Sequence, residues 1–164
     1  MAEYPLVFTF SDKVSGNGFL AGVTVSGRAL VVKEDGQWWM LGVRPSAIAA
    51  HGETPAGAYI EFRKAFTAVL FDSAALTPTF EAFKASVEQF FNDRDMVEEK
   101  RWQDAGEAIR SGEVTPEPPF SELKRESPEG RPAMISVERL DVLEPKVFSA
   151  NDNVLDSYAL STAA

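Results

Sequence analysis

A 45-residue stretch from Arg28 to Asp72 constrains the fold most strongly. It contains two short apolar segments on either side of Asp35-Gly36, then a loop and a capped amphipathic segment. Glycine tolerates the positive φ angle of a tight turn, so Asp-Gly between β-branched and aromatic residues predicts a β-hairpin. The stretch contains no catalytic constellation, and it therefore says more about architecture than about activity.

Further strands are expected close to this hairpin. The predicted strand segments are 6–10, 19–25, 29–32 and 38–43, with a turn at Ser26-Gly27. Strands joined by short connections pair most simply as an antiparallel meander. We therefore expect an α+β fold built on an antiparallel sheet.

Two amphipathic helices are predicted after the hairpin, over 54–72 and 78–91. Thr54-Pro55 and Thr77-Pro78 each combine a good N-cap with a proline suited to the first helical position. The apolar positions that follow are Tyr59, Phe62, Phe66, Val69 and Leu70, and then Phe80, Phe83, Val87, Phe90 and Phe91. Their helical spacing gives each helix one apolar face, so we expect both helices to cover one face of the sheet. A third, more polar helix over 96–110 is expected to turn its charges to water.

The proline pattern divides the chain. Five prolines lie between 113 and 132, and proline at this density interrupts both helices and central strands. We expect an α+β core domain over 1–112 and a Pro-rich connector over 113–132. A late strand over 133–143 is expected to join the core, and 144–164 to form a flexible tail.

Charge and composition exclude several function classes. The formal net charge is −9, which disfavours direct binding of a nucleic-acid phosphate backbone and favours solubility or a basic partner protein. The absence of cysteine excludes disulfides, thiolate metal sites and cysteine nucleophiles. No apolar run approaches the roughly 20 residues of a membrane span, and the N-terminal residues lack signal-peptide features. These observations predict a cytoplasmic protein without membrane association.

Trp38 and Trp39 are the candidate interface residues. Adjacent residues of a strand point to opposite faces, so one indole can enter the core while the other needs a helix, a dimer mate or a partner to cover it. Aromatic side chains are enriched at interface centres. We also expect a homodimer, formed through a sheet edge or through this aromatic strand.

A possible ligand region surrounds the start of the first helix, where His51, Glu53 and Tyr59 are close in sequence. His51 is the only histidine, and a triad or metal site would need convergent partners, none of which has a diagnostic spacing. The helix dipole accounts for Glu53 without catalysis. We therefore predict no catalytic residues, no metal and no cofactor.

The stretch from Arg28 to Asp72 resembles the HicB family of antitoxins. The matching residues are Asp35-Gly36, Pro45, Gly52-Glu53-Thr54 and Ala58. The resemblance implies a three-stranded antiparallel sheet crossed by a helix, a reduced ribonuclease H-like arrangement without the catalytic carboxylates. It also implies dimerisation and binding of a small basic RNA-cleaving toxin. No helix-turn-helix is evident after residue 78, so the resemblance does not extend to a DNA-binding module.

The C-terminal residues carry a second resemblance. Ala150-Asn151-Asp152-Asn153 and the stretch from Tyr158 to Ala164 are similar to the bacterial tmRNA degradation tag. Such a sequence implies recognition by ATP-dependent proteases, which agrees with the lability of antitoxins.

The leading hypothesis is a non-enzymatic, HicB-like, possibly antitoxin-like binding protein of the bacterial cytoplasm with a small basic protein as partner. Two alternatives stay open. One is a small-ligand binder or enzyme that uses the region around His51. The other is a homo-oligomeric structural or phage-related protein.

Overall fold

The structure is a computed structural model that describes residues 2–142 and 159–163. It is an α+β protein with one mixed sheet and three α-helices within these residues. In chain order the elements are β1 (Glu3–Ser15), β2 (Leu20–Glu34), β3 (Gln37–Arg44), β4 (Ala49–Gly52), α1 (Pro55–Leu76), α2 (Phe80–Asn92), α3 (Met96–Arg110), β5 (Arg125–Glu126), β6 (Met134–Arg139) and β7 (Ala159–Ala163). Short 3₁₀ turns lie at Phe120–Glu122 and Pro128–Gly130.

Strands β1 to β4 form an antiparallel meander in chain order. The Asp35-Gly36 hairpin between β2 and β3 is confirmed, and both turn residues have positive φ angles, 50° and 76°. That conformation matches the right-handed twist of the two strands. The hairpin therefore sets the register in which Val32 lies opposite Trp39.

The predicted turn at Ser26-Gly27 is wrong, because β2 runs through it without interruption. Gly27 lies opposite Phe8 of β1, and the Phe8 ring occupies the space that a side chain at position 27 would need. The carbonyl oxygen of Arg44 also lies only 2.7 Å from the ideal Cβ position of Gly27. Gly27 thus allows the Phe8 ring and the Arg44 carbonyl group to lie close to β2, and it does not end the strand.

The sheet is mixed, which corrects the expectation of an antiparallel sheet. β7 pairs antiparallel with β1, and β5 pairs parallel with β7. A parallel pair needs a long connection, and the chain from 127 to 158 between these strands supplies one. β6 pairs antiparallel with β2 along 21–26, beside the part of β2 that pairs with β3.

One large core cluster contains residues of β1, β2, α1 and α2. We call the side of the sheet that carries Phe8 and Phe10 the first face. Helix α1 contributes Phe62 and Phe66, both at most 1% exposed, and the Phe62 ring lies 5.5 Å from that of Phe8. Helix α2 contributes Phe83, Val87 and Phe91 to the same cluster. The hydroxyl groups of Thr54 and Thr79 accept backbone N–H groups at 2.9 and 3.1 Å and so cap the starts of α1 and α2. The cap predicted at Thr77-Pro78 is wrong, because Thr77 is the C-cap of α1 and α2 begins only after Thr79.

Helix α3 packs against the opposite side of the sheet, which we call the second face. Trp102 and Ala105 form a separate cluster with Val7, Leu30 and Val32. The indole N–H of Trp102 donates to the carbonyl oxygen of Leu6 at 3.2 Å. The expectation that α3 turns its charged residues to water is therefore incomplete, since one side of this helix is a buried apolar stripe.

The 113–132 segment packs on the core rather than standing apart. Phe120 is 4% exposed, and its ring stacks on Tyr4 with centroids 4.0 Å apart. Of the predicted flexible tail over 144–164, only Ala159–Ala163 lies within the described residues, and this part is strand β7. Its backbone pairs with two strands, and Ala163 is fully buried, so the expectation is wrong for these residues. The remainder of 144–164, including most of the segment that resembles the degradation tag, lies outside the described residues.

Within 2–142 and 159–163, no helix is both long and apolar enough to cross a lipid bilayer.

Gly27→Ala is expected to lower the free energy of unfolding by about 1–3 kcal/mol, because a methyl group there would collide with the Phe8 ring and the β3 backbone. Gly22→Ala, in the same strand, is the matched control. Its nearest neighbour is the flexible end of Leu140 at 3.3 Å, so the loss should stay below about 1 kcal/mol. Urea unfolding of both variants measures the difference, and equal losses would contradict the role assigned to Gly27.

Candidate functional site

The two adjacent tryptophans of β3 lie on opposite faces of the sheet. Trp38 packs against the first-face cluster, with its ring 5.9 Å from that of Phe120 and the Lys33 ammonium 5.6 Å from its centroid. Trp39 packs against the second-face cluster. Because the 113–132 segment contacts Trp38, Trp39 is the better placed of the two for an outside partner.

Trp39 belongs to a small, partly exposed apolar area at the end of the sheet. On the second face, Trp39 lies opposite His51 and Leu41 lies opposite Ala49. Trp39 and Leu41 are half-buried, whereas Ala49 and His51 are exposed. We call these four residues the Trp39 surface. The indole and imidazole rings have centroids 4.7 Å apart, so the histidine serves as an aromatic neighbour of the tryptophan.

Exposed carboxylates border the Trp39 surface. Glu34 lies two residues beyond Val32, the residue opposite Trp39 in β2, and therefore on the same face. Glu53 follows His51 by two residues. Both side chains are exposed. In a chain with net charge −9, an aromatic area bordered by acids suits a partner that carries basic residues around an apolar centre.

His51, Glu53 and Tyr59 are not brought together into one site. His51 contacts Trp39 on the second face. Tyr59 lies on the first face, where it lines a cavity of about 180 Å³. The other lining residues of this cavity are Leu6, Val31, Pro55, Ala56, Pro119, Phe120 and Leu123. The sheet separates the imidazole from the phenol, so the three residues cannot act on a single small ligand.

Arg101 forms two ion pairs, and one of them links α3 to strand β1. Arg101 donates to Glu3 of β1 at 2.7 Å and lies 3.5 Å from Glu98. The hydrogen bond to Glu3 raises the pKa of Arg101, and burial works against this increase. The guanidinium thus links the helix to β1 beside the second-face cluster.

No metal site is evident among residues 2–142 and 159–163, where no three His, Asp or Glu side chains cluster as a metal ion would require.

The predictions from the sequence did not include Trp102, the third tryptophan. Trp102, Ala105 and Ile109 follow at helical spacing and are buried, which is the pattern that predicts a packed helix face. The surrounding charges of α3 obscured this pattern. The signal for Trp102 is that the apolar residues of this polar helix share one side.

Comparison of the chain with protein-family models, with curated proteins and with solved structures found no match.

Phe120→Ala is expected to lower the free energy of unfolding by about 3–5 kcal/mol, because it removes a buried ring that contacts both Tyr4 and Trp38. It should also make Trp38 more accessible to acrylamide quenching of fluorescence. Phe71→Ala is the control, since Phe71 is 46% exposed and should lose about 1 kcal/mol or less. If acrylamide quenched the fluorescence of Phe120→Ala no more than that of the wild type, this would contradict the inference that Phe120 covers Trp38.

Proposed function

We propose that this chain is a non-enzymatic, HicB-like protein-binding domain whose partner is a small basic protein. The observation that carries the proposal is the Trp39 surface, an aromatic area bordered by carboxylates in a strongly acidic chain. The proposal includes a bacterial, cytoplasmic setting and an antitoxin-like role.

Local geometry around the HicB-like residues supports the resemblance. Asp35-Gly36 forms the hairpin turn, and Pro45 directly follows β3. The Thr54 hydroxyl caps α1 by accepting the N–H of Gly57 at 2.9 Å. Ala58, on the inner side of α1, is fully buried. These features agree with a hairpin and a short strand that lead into a helix across the sheet, the reduced ribonuclease H-like arrangement.

The distribution of aromatic residues favours binding through β3 and β4. A half-buried tryptophan gains more from burial at an interface than any other residue of this surface, because aromatic anchors near an interface centre contribute most of the binding energy. Glu34 and Glu53 would form part of the polar rim and attract basic residues of the partner. His51 contributes its ring to the same area, and this role requires no catalysis.

Trp39→Ala should abolish stable partner binding. The tagged chain, purified from its native host, is expected to bring down one small basic protein at equal stoichiometry, identified by mass spectrometry. Trp39→Ala should lose that protein, because loss of a central aromatic anchor costs about 2 kcal/mol or more. Leu76→Ala, at an 84% exposed position of α1, should retain it. A partner that binds the Trp39→Ala variant equally well would contradict the assignment of the surface.

Reversing the charge of the rim provides an independent test of the partner's basic character. Glu34→Lys combined with Glu53→Lys should slow association, and the slowing should diminish at high salt because exposed charges act mainly on the association rate. Association kinetics with the identified partner measure this effect. An unchanged rate at low salt would show that the acidic border has no part in recognition.

We further propose a homodimer, formed through the β4 edge of the sheet. This strand ends the sheet at Ala49–Gly52, and an unpaired edge can accept a second chain. Light scattering is expected to give twice the 18.0 kDa mass of one chain. A dimer that carries no other protein after purification from the host would instead favour the homo-oligomeric structural or phage-related alternative.

A further inference from the structure

A partly open cavity of about 180 Å³ lies where β2, β3, α3 and the residues before β6 meet. Three arginines line it, Arg28, Arg44 and Arg94, together with a single carboxylate, that of Glu99. The indole of Trp102 forms part of the wall. This concentration of positive charge contrasts with the acidic character of the chain.

Arg28 is a buried cation without a carboxylate partner. Its residue is 7% exposed, and its guanidinium donates to the carbonyl oxygens of Gly27 and Arg131. It lies over the Trp102 ring, 5.4 Å from the centroid. No ion pair among the described residues includes Arg28. Buried charges are normally paired, and two neutral carbonyl groups satisfy only part of a five-donor fork.

Arg44 adds a second guanidinium with donors to spare. One of its terminal nitrogens donates to the side-chain oxygen of Asn92 at 2.6 Å, and the group lies over the Phe91 ring. Its Nε is buried and has no acceptor within the part of the chain that the structure describes. Arg44 likewise forms no ion pair with any carboxylate of the described residues.

The one carboxylate of the cavity is already engaged. Arg94 donates two hydrogen bonds to Glu99, at 2.7 and 2.8 Å. This pairing leaves Arg28 and Arg44 without an ion-pair partner in the cavity. Burial lowers the pKa of Arg28 to about 10, the neighbouring charges of Arg131 and Arg44 add to the decrease, and the carboxylate of Glu126 offsets only part of it. Arg28 is still protonated at neutral pH, and a bound anion would remove part of this repulsion.

We propose that the cavity binds a small oxyanion, either a free phosphate ion or a phosphate or carboxylate group of a small molecule. Guanidinium groups match the planar geometry of such oxygens and bind them through paired hydrogen bonds. A cavity of about 150 Å³ holds a ligand as large as benzene, so the volume here suits a phosphate ion or a short carboxylate. A metal cation is excluded by the charge of the lining. A nucleic-acid backbone is disfavoured because the chain as a whole carries a net charge of −9.

Calorimetric titration with inorganic phosphate at low salt tests the site, with thermal unfolding as a second measurement. The wild-type chain should bind phosphate and unfold at a higher temperature as phosphate increases. Arg44→Gln should weaken phosphate binding about tenfold or more, because it removes a charge-assisted donor pair. Lys64→Gln, which removes the same charge from an exposed position of α1, should bind phosphate like the wild type.

Glu99→Gln tests the site independently, in case Arg44→Gln weakens phosphate binding through a structural defect. It removes the only carboxylate of the cavity and frees Arg94, so phosphate should bind more tightly than in the wild type. A circular dichroism spectrum like that of the wild type is required of each variant. Absence of phosphate, sulfate and acetate binding to the wild type would overturn the proposal, and so would equal phosphate affinity in all of these variants.

Adenosine monophosphate distinguishes the two sources of the anion. If it binds with the affinity of inorganic phosphate, the site takes the free ion. If it binds about tenfold more tightly, the phosphate group belongs to a larger molecule that extends out of the cavity. Both results support the oxyanion site. Neither depends on the Trp39 surface, so this proposal and that of a basic partner protein can fail separately.

Discussion

The rest of the structure depends on the length of β2, which pairs with three other strands. Residues 20–32 of β2 pair with β1, while its other edge is divided between β6 along 21–26 and β3 from Arg28 onward. The two strands meet β2 on either side of Gly27, where neither continues the ladder of the other. A junction of this kind leaves backbone carbonyls that need donors. Arg28 supplies them, for Gly27 in β2 and for Arg131 just before β6.

This junction explains why a cation is buried in an acidic protein. The guanidinium of Arg28 donates to two carbonyl groups and also lies over the Trp102 ring. A lysine ammonium lacks the planar fork of donors that this arrangement uses. The chain gains a bridge between β2 and the start of β6, and the cost is the desolvation of a charge. A bound anion, as proposed for the cavity, would offset part of that cost. The structural role of Arg28 and its proposed binding role therefore have one physical origin.

Much of the first half of the fold follows from local signals in the sequence. The Asp35-Gly36 turn and the capped start of α1 were predicted because each depends on residues that are neighbours in the chain. The second helix was predicted as well, but its cap is Thr79 and not Thr77, which ends α1. The turn predicted at Ser26-Gly27 was wrong because the role of Gly27 depends on Phe8, which is nineteen positions away in the chain. The position of β7 could not be predicted either, since its pairing with β1 and β5 is set by long-range contacts.

The candidate sites also differ in how far they could be predicted from local features of the sequence. Trp38 and Trp39 could be identified as a pair with opposite directions, because strand alternation is a local rule. Only the structure adds that Phe120 lies against one of them and His51 against the other. The arginine cavity had no signal at all, because Arg28 and Arg44 come from two strands and Arg94 from the connection between α2 and α3. Their charges become a site only through the junction on β2.

The two faces of the sheet differ in how far their residues are exposed to solvent, and this difference bears on function. The first-face core cluster contains buried residues of α1, α2 and the segment around Phe120, so a change there acts mainly on stability. On the second face, α3 contacts β1 and part of β3 and leaves Trp39 half-buried. The arginine cavity opens beside the same helix. Because Trp102 anchors α3 and also forms a wall of the cavity, an anion bound there would stabilise the docked position of α3.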